Sequence, residues 1–468
     1  MTGAAGATGA AGAARYRCEL AWLPDGRVEP DVLVEVADGR ITAVTPAGQA
    51  PTGAEGGHGD AEPLHGLVLP GAANAHSHAF HRALRGTTHT DGGTFWTWRE
   101  RMYTAAARLD PDSYHALARA TFAEMALAGF TAVGEFHYLH HRPDGRRYAD
   151  PNAIGDALIR AAREAGVRPC LLDTCYLAGG IGQPLSGTQA RFSDGDAAAW
   201  AARVEDLHRA WTATSDVVVG AAIHSVRAVP ADQLPIVAAW ARANDAPLHV
   251  HVSEQPAENE ACLAAHGVTP TRLLASAGAL GPRTSAVHAT HLTDADVADL
   301  AESGSSVCLC PTTEADLGDG IGPARRLHAA GVPLTLGTDS HASIDPVAEA
   351  RRAEWDQRLD TRQRGHLDAD ALLRALTVDG QASLGFDDAG RLAAGARADL
   401  VAIDLGSVRT AGADTATAAA AVVFGACAAD VTDVVVDGRR VVRGRAHVLG
   451  DVAGELSDTI AALREEAP

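Results

Sequence analysis

Six residues of this 468-residue chain carry side chains suited to metal-assisted hydrolysis: His76, His78, His251, Glu254, His288 and Asp339. His76 and His78 close the apolar run LVLPGAANAHSH. In a strand, positions i and i+2 face one side, so both imidazoles point to one locus. An H-x-H pair alone is weak evidence in a chain with 21 histidines, and His249-Val-His251 is a second instance. Position separates them. In PLHVHVSEQ, His251 lies nearer the end of the run, with Glu254 three residues on, whereas His249 lies deeper and reads as a packed residue. His288 ends TSAVHAT and Asp339 ends VPLTLGTDS.

Imidazole nitrogens and a carboxylate suit zinc or another borderline divalent ion. His76, His78, His251 and Asp339 as ligands leave a position for water, whose pKa a bound ion lowers from 15.7 to about 7. Asp339 is then placed to accept the water's proton, Glu254 to pass a proton to a leaving nitrogen, and His288 to hydrogen-bond the developing oxyanion. All 39 basic residues are arginine. A carboxylated lysine bridging two metals, a Schiff-base lysine and a P-loop lysine are therefore excluded. The expected cofactor is one divalent ion per chain, Zn2+ with Fe2+ as the alternative.

Such residues need a scaffold that gathers strand ends. From 70 to 385, short apolar runs (FTAVGEF, RPCLLDT, VVVGAAIHS, SSVCLCP and those above) alternate with amphipathic stretches such as 113–129, 153–166 and 231–244. Eight alternations predict an α/β fold, a (β/α)8 TIM-like barrel with chemistry at the strand C-terminal ends. The expected landmarks fall at the ends of strands one, five, six and eight. Residues 15–69 and 386–450 are strand-rich, each with an Asp-Gly turn (ADGR, VDGR), and predict a small β-sandwich domain built from both chain ends. Residues 1–14 read as a disordered Ala/Gly/Thr tail and 451–468 as a C-terminal helix or tail.

The formal net charge of −20 disfavours nucleic acid and anionic membranes as partners. With no apolar run of 18 residues to span a bilayer, the expected location is the cytoplasm. A small anionic substrate would need a local arginine cluster. A homodimer is the expected assembly. Seven scattered cysteines, including Cys308 and Cys310 in one strand-like run, read as buried thiols and not as a disulfide framework.

The order H-x-H, H-x-x-E, His, Asp, with PGAANAHSH and GRLAAGARADLVAID around it, resembles the amidohydrolase superfamily over nearly the whole chain. The missing lysine favours its mononuclear deaminase branch. AFHRALRG, FWTWRERMY (95–103), EFHYLHH (135–141) and His224-Ser-Val-Arg227 narrow the likeness to the formimidoylglutamate deiminases. That resemblance implies hydrolysis of N-formimidoyl-L-glutamate to N-formyl-L-glutamate and ammonia, in histidine degradation, with zinc. The substrate's two carboxylates call for guanidinium forks, and Arg99 and Arg227 are the candidates. Tyr138 and His224 would add hydrogen bonds. Where that family shows glutamine, this chain has His81, which can replace one amide contact. Arg82 ranks lower, Trp96 and Trp98 read as lid packing, and His140 and His141 as members of a solvated loop. A purine or adenosine deaminase of the same superfamily would share every metal ligand and differ only in the pocket. A non-catalytic barrel relative would lack ligands that are all present here.

Overall fold

The computed structural model describes residues 13–47, 61–88, 93 and 95–465. Most of the expected 1–14 tail lies outside them, but Ala14 already belongs to a strand. Strands β1 (Ala14–Trp22), β2 (Val28–Ala37), β3 (Arg40–Pro46) and β4 (Glu62–Pro70) come from one end of the chain. The barrel strands follow: β5 (Ala72–Ser77), β6 (Phe130–His137), β7 (Arg168–Cys175), β8 (Val218–Ile223), β9 (Leu248–Val252), β10 (Thr284–His288), β11 (Ser306–Leu309) and β12 (Leu334–Leu336). Strands β13 (Leu400–Ile403), β14 (Val431–Val436), β15 (Arg439–Arg443) and β16 (Ala446–His447) complete the first sheet.

That sheet runs β16-β15-β14-β13-β4-β1-β2-β3, so both chain ends build it together. Two of its Asp-Gly dipeptides, Asp38-Gly39 and Asp437-Gly438, are two-residue hairpin turns. Asp38 and Gly39 have φ 51° and 76°, Asp437 and Gly438 46° and 73°. These left-handed values are what a type I′ turn demands and what Asp and Gly tolerate. Val32, Val34, Leu64, Val68, Leu400 and Val435 fill a small core of its own.

Strands β5 to β12 pair in sequence order, all parallel, and are buried along their lengths. A parallel bridge between Ser77 and Asp339 closes the ring. There the two backbones approach so closely that a Cβ on Gly337 would lie 2.7 Å from the Cβ of His76. Only glycine fits, and the closure aligns the first and eighth strand ends. Several of the connecting helices start on side-chain caps: Asp110 accepts from Ser113 N, Thr293 from Asp296 N and Asp345 from Ala348 N. Gly267 and Gly304 end theirs in left-handed caps.

One buried ion pair ties barrel to sheet. Arg168, the first residue of β7, grips Asp399 with Nη1 at 2.8 Å and Nη2 at 2.5 Å. Asp399 Oδ1 also accepts the Asp437 amide at 3.0 Å. Replacing Arg168 by Met leaves the Asp399 charge buried and unpaired, which typically costs about 3–5 kcal/mol. Denaturant unfolding should show that loss, with metal content at 25 °C unchanged. No helix among the described residues is long and apolar enough to cross a membrane.

Candidate active site

The C-terminal ends of β5, β9 and β10 and the turn after β12 place His76, His78, His251, His288 and Asp339 around one point. His76 Nε2 lies 3.0 Å from His251 Nε2, and Asp339 Oδ1 lies 3.4 Å from both His76 Nε2 and His78 Nε2. His78 Nδ1–H donates to the Phe136 carbonyl at 2.9 Å and His251 Nδ1–H to the His224 carbonyl at 2.8 Å. Each bond fixes the tautomer and turns the Nε2 lone pair inward.

Burial, followed by the neighbouring imidazoles, pushes His76 and His251 well below the usual histidine range and His78 down to about 3. With their Nδ1–H groups committed to carbonyls, His78 and His251 present Nε2 lone pairs toward Asp339 Oδ1 and His76 Nε2, a donor set suited to a divalent cation. Two ligands each 2.0–2.1 Å from a tetrahedral ion sit about 3.4 Å apart, close to the spacings seen here. The donor set fits a divalent ion.

His288 behaves differently. Burial opposes its charge, but Glu254, Glu314 and Asp339 outweigh burial and push its pKa up to about 10. Its Nε2 lies 3.8 Å from Glu254 Oε1 and 4.0 Å from Asp339 Oδ2, and its Nδ1 lies 3.4 Å from Glu314 Oε1. It thus faces three carboxylates at the edge of the cluster. The backbone is strained here, with His288 at φ 68°, Asp339 at 43° and Ser253 at 52°. Such non-glycine positions cost about 1–3 kcal/mol each and collect at functional sites.

Above the cluster opens a cavity of about 230 Å3, bordered by His81, Arg99, Tyr138, His224, Arg227 and Glu254. Every substrate-side residue expected from the sequence therefore reaches one cavity. His81 Nε2 is 3.1 Å from the Tyr138 hydroxyl. Arg99, in the helix Phe95–Arg108, stacks 4.5 Å over Trp96 and 5.7 Å from the Tyr103 ring. Arg227 pairs with Glu254 at 3.0 Å and Glu258 at 3.5 Å. Trp98 meets His81 edge-on at 5.1 Å. Arg82 instead pairs with Glu124 at 2.6 Å.

A model of the amidohydrolase family matches residues 67–441. The chain belongs to the amidohydrolase family. As a member, it is 40% identical to the formimidoylglutamate deiminase of Pseudomonas aeruginosa, over 92% of this chain and 94% of that one. It is 31% identical to the 8-oxoguanine deaminase of the same organism, over 86% and 87%. Among solved structures, an amidohydrolase from Brucella melitensis superposes with a TM-score of 0.88 at 33% identity, covering 96% of this chain and all of that one. An adenosine deaminase from Xanthomonas campestris with bound zinc gives 0.82 at 26% identity, covering 96% and 97%.

Within this amidohydrolase, one sequence expectation is overturned. His140 and His141 are not on a solvated loop but buried. His140 Nε2–H donates to the Thr174 carbonyl at 2.8 Å, and His141 Nε2 lies 3.3 Å from Asp194 Oδ1. Both backbone amides bond to the Arg191 carbonyl, which pulls the loop inward. His249 is the packed residue expected, donating to the Ser383 carbonyl at 3.0 Å.

Sequence reading missed four supporting residues. Glu135, pushed up to about 7 by burial, accepts from Ser77 Oγ at 2.6 Å and Ala79 N at 2.8 Å, holding the H-S-H segment. Its signal was available: one carboxylate inside the apolar run FTAVGEF. Glu314 backs His288 and Glu258 backs Arg227. Tyr176 packs 4.4 Å from the His224 ring, ring centre to ring centre.

Proposed function

We propose that this enzyme is a zinc-dependent formimidoylglutamate deiminase, hydrolysing N-formimidoyl-L-glutamate to N-formyl-L-glutamate and ammonia with one ion per chain. The observation that carries the reading is the pair of guanidiniums, Arg99 and Arg227, on one cavity above the histidine cluster. A purine deaminase would be served by apolar, stacking walls, which Trp96, Trp98 and Phe192 also supply here, but it would have no use for two guanidiniums. The 40% identity to a formimidoylglutamate deiminase, against 31% to an 8-oxoguanine deaminase, supports the same choice.

In this reading His76, His78, His251 and Asp339 hold the ion. The bound ion supplies a water activated at neutral pH and polarises the formimidoyl carbon's substituents. Asp339 takes a proton from the attacking water, and His288 donates a hydrogen bond to the oxygen that adds. Glu254 carries one proton to the terminal nitrogen and Asp339 passes on the one it took, and as the added hydroxyl returns its proton to Glu254 the C–N bond breaks and ammonia leaves. Arg99 and Arg227 hold the two carboxylates, while His81, Tyr138 and His224 orient the amidine. His81 and Tyr138 already share a proton-bridged contact, which fixes the imidazole where the related deiminases show glutamine.

The test is ammonia release from N-formimidoyl-L-glutamate, with 8-oxoguanine and adenosine as controls. Arg99→Met should lower kcat/KM about 30-fold to several thousand-fold, since losing a buried charge partner costs roughly 2–5 kcal/mol. Most of that should appear in KM, with zinc content unchanged. A change within threefold would remove Arg99 from the clamp. Arg99→Lys should restore only part, because an ammonium lacks the planar fork.

A further inference from the structure

Arg227 is already occupied in the free protein. Its Nη2 lies 3.0 Å from Glu254 Oε2 and its Nε lies 3.5 Å from Glu258 Oε2. The other oxygen of Glu254 faces His288 at 3.8 Å. Glu258 sits in the first turn of the helix Pro256–His266, is 2% exposed, and neither of its carboxylate oxygens has a hydrogen-bond partner of normal geometry. One guanidinium thus holds the proposed proton carrier on one edge and a fixed, buried carboxylate on the other.

A substrate carboxylate entering from the cavity would bring a third negative charge to that guanidinium. Like charges at such range in a desolvated site repel strongly. Both resident carboxylates border the cavity, but Glu258 is held in the first turn of its helix, whereas Glu254 lies just before that helix, with its other oxygen already facing His288, and can swing toward the reacting centre. We infer that Arg227 is a substrate-operated latch, in which the carboxylate beside the amidine displaces Glu254 from Nη2 and so frees it for proton transfer, while Glu258 keeps Arg227 in place. This inference rests on the proposed function. The carboxylate beside the amidine is the one assigned, because Arg227 is a single ion pair from Glu254 and hence near the reacting carbon. Arg99, stacked on Trp96, is left for the distal carboxylate. Glu258 is a positioning residue.

The latch makes the substrate's charge matter for kcat and not only for KM. N-Formimidoyl-4-aminobutyrate lacks the carboxylate beside the amidine and keeps the distal one. With the unaltered enzyme its kcat should fall at least tenfold below that of N-formimidoyl-L-glutamate. Acetate supplied in trans should then raise turnover of the truncated compound several-fold, saturably, by taking Arg227 Nη2. Arg227→Met should turn the truncated compound over at least fivefold faster than the unaltered enzyme and show no acetate effect, although its kcat/KM for the full substrate falls. The acetate arm needs no variant, so it stands even if Arg227→Met folds poorly. A fixed clamp predicts the opposite pattern: no acetate activation, and no gain for Arg227→Met on the truncated compound. That result, alongside normal ammonia release from the full substrate, overturns the latch alone. Absence of ammonia release from the full substrate overturns the proposed function and the latch with it.

Discussion

Asp339→Ala and His76→Ala proteins are expected to lose metal and turnover together. Both side chains converge on the point where three neutral imidazole nitrogens meet, with Asp339 Oδ1 3.4 Å from His76 Nε2 and His78 Nε2. Removing Asp339 takes away the proposed anionic ligand, which is also the group proposed to receive the water's proton. Removing His76 takes away the nitrogen that faces His251 at 3.0 Å. Without the ion, the water's pKa returns from about 7 toward 15.7, so activity should fall by many powers of ten, to the assay background. Metal analysis of the purified variants checks this against about one ion per chain in the parent. Full activity in a metal-free Asp339→Ala protein would refute the ligand assignment. Two tightly bound ions in the active parent would refute the single-ion arrangement.

Glu254→Gln should separate the two halves of the site. Glutamine keeps the size and one oxygen of the side chain, and Glu254 is not among the proposed ligands, so metal content should match the parent. It cannot transfer a proton, and general acid–base groups are typically worth a factor of about 10²–10⁴. The loss should appear in kcat. Turnover near the parent rate would show that another group carries the proton. Loss of metal with the activity would show that Glu254 helps build the metal site instead.

Much of this site was legible because the signals were local. A histidine or aspartate at the end of an apolar run marks a strand end, and a parallel barrel brings all such ends to one face. His76, His78, His251, His288 and Asp339 each announce themselves in this way, and the ADGR and VDGR turns announce the hairpins of the sheet. The supporting residues were not legible because burial and pairing are tertiary facts. Glu258 reads as one more acid in an exposed helix start until Arg227, from the loop after β8, is laid against it. Glu314 lies in a short helix, Pro311–Leu317, and acquires meaning only from His288 Nδ1 at 3.4 Å. The tandem His140-His141 was misread for the same reason: Thr174, Asp194 and Arg191, which draw the loop inward, lie in other segments. The contact between Arg227 and Glu254 was likewise invisible, since each residue had been assigned a separate task.

The measurement that bears most directly on the central claim is identification of both products formed from N-formimidoyl-L-glutamate by the zinc-loaded enzyme, followed by NMR with the formimidoyl carbon labelled. In the proposed mechanism Glu254 and His288, which lie 3.8 Å apart beside the cluster, direct cleavage to the terminal C–N bond. The expected products are N-formyl-L-glutamate and ammonia in equal amounts, with the label retained in the formyl group attached to glutamate. Labelled formamide with free L-glutamate, or an unchanged substrate beside rapid deamination of 8-oxoguanine or adenosine, would contradict it.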